Sequence, residues 1–194
     1  MDEIAEWYRQ LNSKVKTAIK FFCFVAIVGA IVWLFNQFLY APMGINGDSM
    51  KPTLSDGDII IIDKISYTNE EPERFDMIAF KYKYDYSQMY IKRVIGMPGE
   101  TIYMEDNKIF ILNEDTGEYE QLKEYYGYYK GENKYPDCQP ITLGEDEYFV
   151  LGDNRNDSED SRSSAVGAVK RTLIVGKACF RILPFNGIGS LEYQ

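Results

Sequence analysis

Ser49 lies in Gly47-Asp48-Ser49-Met50-Lys51-Pro52-Thr53-Leu54, a glycine-led turn just beyond a long apolar run. A serine hydroxyl becomes a useful nucleophile only beside a group that takes its proton. The chain contains no histidine, so a Ser-His-Asp arrangement is excluded. The remaining side chain able to act as base near neutral pH is a lysine made neutral by burial. Taken alone, Asp48 and Pro52 make Ser49 an ordinary turn serine, so the reading depends on finding that lysine.

Lys92 is the candidate. It sits in Met89-Tyr90-Ile91-Lys92-Arg93-Val94-Ile95, which reads as a strand. Alternation puts Tyr90, Lys92 and Val94 on one face and Ile91, Arg93 and Ile95 on the other. A lysine between aromatic and β-branched neighbours is placed for desolvation, which lowers an ammonium pKa. The competing reading is an edge strand with Lys92 and Arg93 in solvent, because lysines are seldom buried. A third stretch, Gly152-Asp153-Asn154-Arg155-Asn156-Asp157-Ser158-Glu159-Asp160-Ser161-Arg162, is dense in charge and hydrogen-bonding groups. It reads either as a solvated loop or as a site; its acid spacing is not that of an EF-hand.

The elements that must position these groups begin with an apolar segment. Residues 21–35 carry no polar side chain, and the stretch continues past Asn36 and Gln37 to about residue 40. That is about the twenty residues a membrane-spanning helix needs. Arg9, Lys14, Lys16 and Lys20 precede it with no acid between residues 9 and 20, so the positive-inside rule leaves the N-terminus cytoplasmic. Trp33 and Tyr40 suit the outer aromatic belt. A cleaved signal peptide and a buried core helix are the competing readings. The long N-terminal flank and the poor site at Leu39-Tyr40-Ala41 favour an uncleaved single-pass anchor. The expected division is 1–18 cytoplasmic, 19–40 transmembrane, and 41–194 an extracytoplasmic domain.

That outer part reads as short strands punctuated by turns. Ile59-Ile60-Ile61-Ile62, Met77-Ile78-Ala79-Phe80, residues 89–95, a hairpin over 101–112, residues 147–151 and residues 173–182 are the candidates. Asp85 to Ser87 is expected to turn, and Gly176 to form a bulge. With no convincing amphipathic helix beyond residue 40, the expected fold is a mostly antiparallel β domain. Residues 113–140 are rich in Glu and Tyr and read as an excursion or cap, with tyrosines covering it rather than binding a cofactor.

The formal charge of −9 argues against a nucleic-acid partner. Residues 1–20 carry +1 and residues 21–40 none, so −10 falls on residues 41–194. Cys23, Cys138 and Cys179 lack ligand spacing, so no metal site or other cofactor is expected. Cys138 and Cys179 can pair only if the fold brings them together.

Four motifs occur in order: Ser49-Met50-Lys51-Pro52-Thr53-Leu54, Gly57-Asp58 before the isoleucines, Tyr90-Ile91-Lys92-Arg93-Val94-Ile95-Gly96-Met97-Pro98-Gly99-Glu100, and Gly152-Asp153-Asn154-Arg155 through Ser158, Asp160, Ser161 and Arg162. Together they resemble a bacterial type I signal peptidase of the short Gram-positive kind, a Ser-Lys peptidase of family S26. The resemblance runs from the anchor to Gly176-Lys177-Ala178 and Pro184-Phe185-Asn186. It implies a β-rich, membrane-bound endopeptidase that removes signal peptides from exported preproteins after small residues, near the translocation machinery. Carried over by motif, Ser49 would be the nucleophile and Lys92 the general base. Ser158 would orient Lys92. Asp160 and Arg162 would pair to support the site, and Asp153, Asn154 and Arg155 would shape the loop. Met50, Tyr90 and Ile91 would line substrate pockets. Two departures stand out. Gly47 replaces a serine that in some relatives donates to the oxyanion. Phe75, in Arg74-Phe75-Asp76, replaces a glycine and puts the backbone there in question.

Two other readings remain open at this level. One is a related Ser-Lys autoprotease of the repressor-cleaving type, which lacks an apolar anchor. The other is a catalytically idle, tethered binding module.

Overall fold

A computed structural model of the chain describes residues 11–129 and 138–191. The chain divides into two units, residues 1–39 and 40–194.

The first unit is one helix, α1 (Ser13–Phe38). Asn12 caps it, its Oδ1 accepting the Lys14 N–H at 3.0 Å, which satisfies one of the orphan donors of the first turn. Residues 13–34 have a mean hydropathy of 2.2, and Phe21, Phe24, Ile27, Ile31 and Trp33 are all exposed. A helix apolar on every side, with none of that surface covered by protein, is long and apolar enough to cross a membrane. It begins six residues before the expected anchor at 19, and most of the flank before it lies outside the described residues. It also ends before Tyr40, which opens the first strand.

Among the described residues the second unit has twelve strands, all paired antiparallel, in two sheets. The larger follows the order β1 (Tyr40–Gly44), β2 (Ile59–Asp63), β11 (Ile174–Leu183), β3 (Met77–Tyr82), β4 (Asp85–Gly96), β9 (Glu147–Leu151) and β10 (Val169–Lys170). The short β12 (Gly189–Ser190) pairs with β11. The smaller has the order β7 (Glu118–Leu122), β6 (Lys108–Asn113), β5 (Thr101–Glu105) and β8 (Ile141–Thr142). The helical content among its described residues is slight: the single-turn α2 (Ser66–Asn69) and two short 3₁₀ turns. The expected mostly antiparallel β architecture is therefore the observed one.

The isoleucine run behaves as a half-buried strand should. In β2, Ile60 and Ile62 are buried while Ile59 and Ile61 are partly open, the period of two of a pleated strand. In β4, residues 91–96 are buried on both faces, because β3 and β9 flank the strand and different core clusters cover its two sides. The edge-strand reading of Lys92 fails for this reason.

Register irregularities in β11 fall between Ile174 and Gly176 and again further along, where a bulge was expected. A Cβ at Gly176 would stand 2.2 Å from the Asp63 carbonyl oxygen, so only glycine lets β2 and β11 approach this closely.

The 101–112 hairpin forms as read. Asp106 (φ 51°) and Asn107 (φ 62°) occupy its two-residue turn, the left-handed pair such a turn demands. The turn expected at Asp85 to Ser87 is displaced: Lys83 and Tyr84 make it, and Asp85 already opens β4. Asp85 does use its side chain locally, accepting from the Ser87 N–H at 3.0 Å and its hydroxyl at 2.7 Å, but inside a strand. In the 113–140 stretch, read as loop or a small hairpin-based cap, β7 pairs with β6 and extends the smaller sheet. Residues 130–137 of it lie outside the described set. The three cysteines are thiols. Cys138 packs on the small-sheet core and the Cys179 thiol lies 3.4 Å from the Ile61 carbonyl.

Candidate active site

Lys92 Nζ stands 2.9 Å from Ser49 Oγ. Two unrelated pieces of sequence, 43 residues apart, make this contact. Ser49 sits in the turn between β1 and β2, started by Gly47 at φ +88°, a conformation that favours glycine. Lys92 projects from the centre of the large sheet. It is 5% exposed, and its ammonium also donates to its neighbour's carbonyl, Ile91 O, at 2.9 Å. Burial pushes the Lys92 pKa down to about 8, against the opposing pull of Asp160, Glu159 and Asp153. Desolvation wins because it acts on the charge directly, whereas the acids act from a distance.

The Ser49 turn is held from below by the 152–162 loop. The Asn154 backbone N–H donates to Ser49 O at 3.0 Å, and Asn154 Nδ2 donates to Asp48 O at 3.1 Å. Gly47 N–H is taken by Asp56 Oδ1 at 2.8 Å. Among the described residues the Ser49 N–H makes no hydrogen bond. Gly152 lies at the contact: a Cβ there would be 2.4 Å from Ser49 O and 2.1 Å from Ser158 Oγ.

The solvated-loop reading of 152–162 is overturned by burial. Asp153, Arg155 and Asp160 have no exposed surface, and Ser158 and Ser161 have almost none. Charges removed from water this completely must be paired, and they are. Asp153 receives Arg93 at both oxygens, 2.8 Å and 2.6 Å, and also accepts the Thr53 hydroxyl at 2.5 Å. Thr53 follows the Ser49 turn, so one carboxylate ties that turn to β4. Arg162 forks onto Asp160, Nε to Oδ1 at 2.8 Å and Nη2 to Oδ2 at 2.9 Å. Asp160 Oδ2 in turn accepts the Gly152 N–H at 3.0 Å. Arg155 donates to Gly152 O at 2.9 Å, and its far end makes a fork onto Glu124.

Ser158 departs from expectation. Its Oγ is buried and makes no hydrogen bond, so the orienting contact to Lys92 implied by the motif is not formed here. Gly152 is what brings its hydroxyl against the Ser49 turn.

The pocket open to Ser49 and Lys92 has a volume of about 560 Å³. Met50, Tyr90 and Ile91 line it, together with Met43 of β1 and Ile45 just after that strand. Tyr90 also places its ring 5.5 Å from Lys92 Nζ.

Four residues escaped sequence reasoning. Arg93 was only the neighbour facing away from Lys92; its buried environment demanded an acid partner. Tyr126 lays its ring 3.6 Å from the Arg93 guanidinium carbon. Tyr129 accepts from Arg155 at 3.0 Å, beside Glu124. All three of these last residues come from the tyrosine-rich excursion, whose only sequence signal was aromatic rings interleaved with charge. Phe75 resolves the question raised by its missing glycine: it keeps a glycine-like φ of 75°. Its ring leans on Tyr126 at 5.8 Å, and its carbonyl accepts Arg93 at 2.9 Å.

A family model described as signal peptidase, peptidase S26, matches residues 17–183. The chain is 36% identical over 172 residues to signal peptidase I P of Bacillus subtilis subsp. natto, covering 84% of this chain and 88% of the relative. It is 32% identical over 176 residues to signal peptidase I T of Bacillus subtilis (strain 168), covering 90% of each. Signal peptidase IB of Staphylococcus aureus (strain Mu50 / ATCC 700699) is 30% identical over 182 residues, covering 88% of this chain and 92% of the relative. A crystal structure of a signal peptidase I from Enterococcus faecalis V583 is 37% identical, with a TM-score of 0.44, covering 56% of this chain and 97% of that one.

Proposed function

The chain belongs to the S26 signal peptidases, serine peptidases that cleave signal peptides from preproteins, and from that premise we propose that it works through a Ser49–Lys92 dyad. The observation that carries the reading is the 2.9 Å contact between Lys92 Nζ and Ser49 Oγ, made by a lysine that is 5% exposed. A neutral amine at that distance is placed to remove the hydroxyl proton.

The steps follow. Neutral Lys92 takes the Ser49 proton as Oγ attacks the scissile carbonyl. Negative charge develops on that carbonyl oxygen, and the unengaged Ser49 N–H is the donor at hand. One such donor is typically worth about 3 kcal/mol in the transition state. The Lys92 ammonium then protonates the leaving amine as the C–N bond breaks. The acyl-enzyme ester on Ser49 is hydrolysed by a water that Lys92 deprotonates. In the ester, Oγ no longer offers the lysine the same partner, and the buried Ser158 hydroxyl is the group we assign to orient Lys92 in that half of the cycle.

The Asp160–Arg162 and Asp153–Arg93 pairs, with Asn154 and Arg155, hold the Ser49 turn against β4. Geometry fixed this way is worth orders of magnitude in rate, since small displacements of reacting atoms are costly. A pocket walled by Met50, Tyr90 and Ile91 suits small apolar residues before the cut, of the Ala-x-Ala type.

The apolar helix and the similarity to signal peptidases fit a membrane-anchored protein. We assign the cytoplasmic side to its N-terminus from Arg9, Lys14, Lys16 and Lys20. The β unit then lies outside, near the translocation machinery. An enzyme and a substrate confined to one membrane surface meet at a raised effective concentration.

The test is to incubate the detergent-solubilised full chain with a preprotein bearing an Ala-x-Ala site. Cleavage by wild type, lost in both Ser49→Ala and Lys92→Ala, is the expected result. Cleavage that survives Lys92→Ala overturns the dyad.

A further inference from the structure

The pocket that holds Ser49 and Lys92 contains one further charged side chain, Glu159. Most of the wall is apolar: Met43, Ile45, Met50, Met89, Tyr90 and Ile91. Glu159 is half-buried, and among the described residues it makes no hydrogen bond and no ion pair. This sets it apart from the loop around it. Asp153, Arg155, Asp160 and Arg162 of the same loop are engaged in buried pairs, and Asp157 is exposed. Ser158 and Asp160 on either side of it are buried, so the backbone that carries it is fixed by packing.

A carboxylate held partly out of water without a partner bears a desolvation cost. A cation entering the pocket would remove it. Lys92 feels Glu159 electrostatically but remains largely desolvated, and as the base it must spend part of the cycle neutral. Among the described residues no cation pairs with Glu159, and a substrate can supply one.

We propose that Glu159 is a specificity-determining residue that favours preproteins with a basic residue, and disfavours those with an acidic one, just after the scissile bond. This rests on the signal-peptidase reading above. The residues before the cut must fit the apolar side chains of the wall, which leaves Glu159, the pocket's acid, to the leaving segment. Lys92 delivers its proton to the leaving amine, and Glu159 lies close enough to act on Lys92. The side of the pocket that receives the new N-terminus is thus the side that carries the carboxylate. The −10 charge of residues 41–194 sets a background field of the same sign, which steers basic segments inward and acidic ones away.

The experiment measures kcat/KM for peptides that differ only at the first or second residue after the cut, Lys against Glu, in detergent at low salt. Wild type is expected to prefer Lys roughly five- to tenfold, a preference that shrinks as salt screens it. Glu159→Gln brings the ratio close to one, and Glu159→Lys inverts it. Each ratio is taken within one variant, so a reduced folded fraction cancels. The same ratio in all three proteins overturns the proposal, as does a charge preference confined to residues before the cut. Failure of wild type to cleave either peptide overturns the reading underneath, and the proposal with it.

Discussion

Asn154 donates its backbone N–H to the carbonyl of Ser49 over 3.0 Å, so the proposed nucleophile is fastened by its own main chain to a loop more than a hundred residues away. Gly152 sits beneath that contact. A methyl group there meets the Ser49 carbonyl at 2.4 Å and Ser158 Oγ at 2.1 Å. The serine hydroxyl can rotate away, but the carbonyl cannot move without carrying Ser49 with it. Gly152→Ala is expected to lower kcat by roughly a hundredfold through displacement of Oγ, with a smaller change in KM. Steady-state kinetics on a signal-peptide substrate check this; a variant within threefold of wild type would mean the turn tolerates the shift.

Lys92 gives two expectations. With its pKa pushed down to about 8, kcat/KM should climb about tenfold per pH unit on the acid side and level off above roughly pH 9. A profile flat from pH 6 to 10 speaks against a lysine base. For stability the sign is the same but the pH window lies higher. The folded pKa lies below the ordinary 10.5, so the unfolded chain binds more protons between the two values and stability rises with pH through that window. Below about pH 8 the whole penalty of burying the ammonium applies. Lys92→Met should therefore abolish cleavage yet stabilise the β unit at pH 7, on the order of 1–3 kcal/mol. The gain should fade toward pH 10.5, as followed by thermal unfolding across that range.

Phe75 offers a test of strain against packing. Its φ of 75° costs a non-glycine residue about 1–2 kcal/mol, offset by the ring's contact with Tyr126. Phe75→Gly loses the ring and relieves the strain, whereas Phe75→Ala loses the ring and keeps it. Alanine should be the less stable of the two by about 1 kcal/mol in chemical denaturation. Equal stabilities would show that the backbone relaxes out of the left-handed region.

Glu124 supplies the far anchor of Arg155, whose side chain has no exposed surface. Glu124→Ala strands that guanidinium and should cost about 3–5 kcal/mol. Adding Arg155→Met should recover a large part of the loss, since the uncompensated charge goes with it. Additive losses would mean the pair is not coupled.

How much of this was legible in the sequence differs from residue to residue. Lys92 and the 152–162 loop could be read because strand alternation and an ordered motif are local patterns. The burial of Arg93 could not, because it depends on an acid 60 residues on and a ring from another segment. Asp85 misled in an instructive way. Its side chain makes the turn-like bonds to Ser87 that its identity suggests, yet cross-strand pairing to Tyr82 claims the backbone first. Lys83 and Tyr84, which do turn, are residues that carry no turn signal. The tyrosine-rich stretch reads as covering itself, because an amphipathic ring does not announce which surface it covers. Ser158 was placed by motif, and only atomic geometry reveals a hydroxyl without a partner.

The missing histidine reaches beyond the choice of base. The imidazole is the one ordinary side chain that changes charge between pH 5 and 8, and this chain has none. Its overall charge of −9 thus changes little between about pH 7 and about pH 6, a gap between the carboxylates and Lys92, and so does its colloidal behaviour, including mutual repulsion between copies. Acidification from neutral to mildly acid conditions should leave solubility and crowding unaltered while the reaction slows, so the two can be separated with no more than a change of buffer.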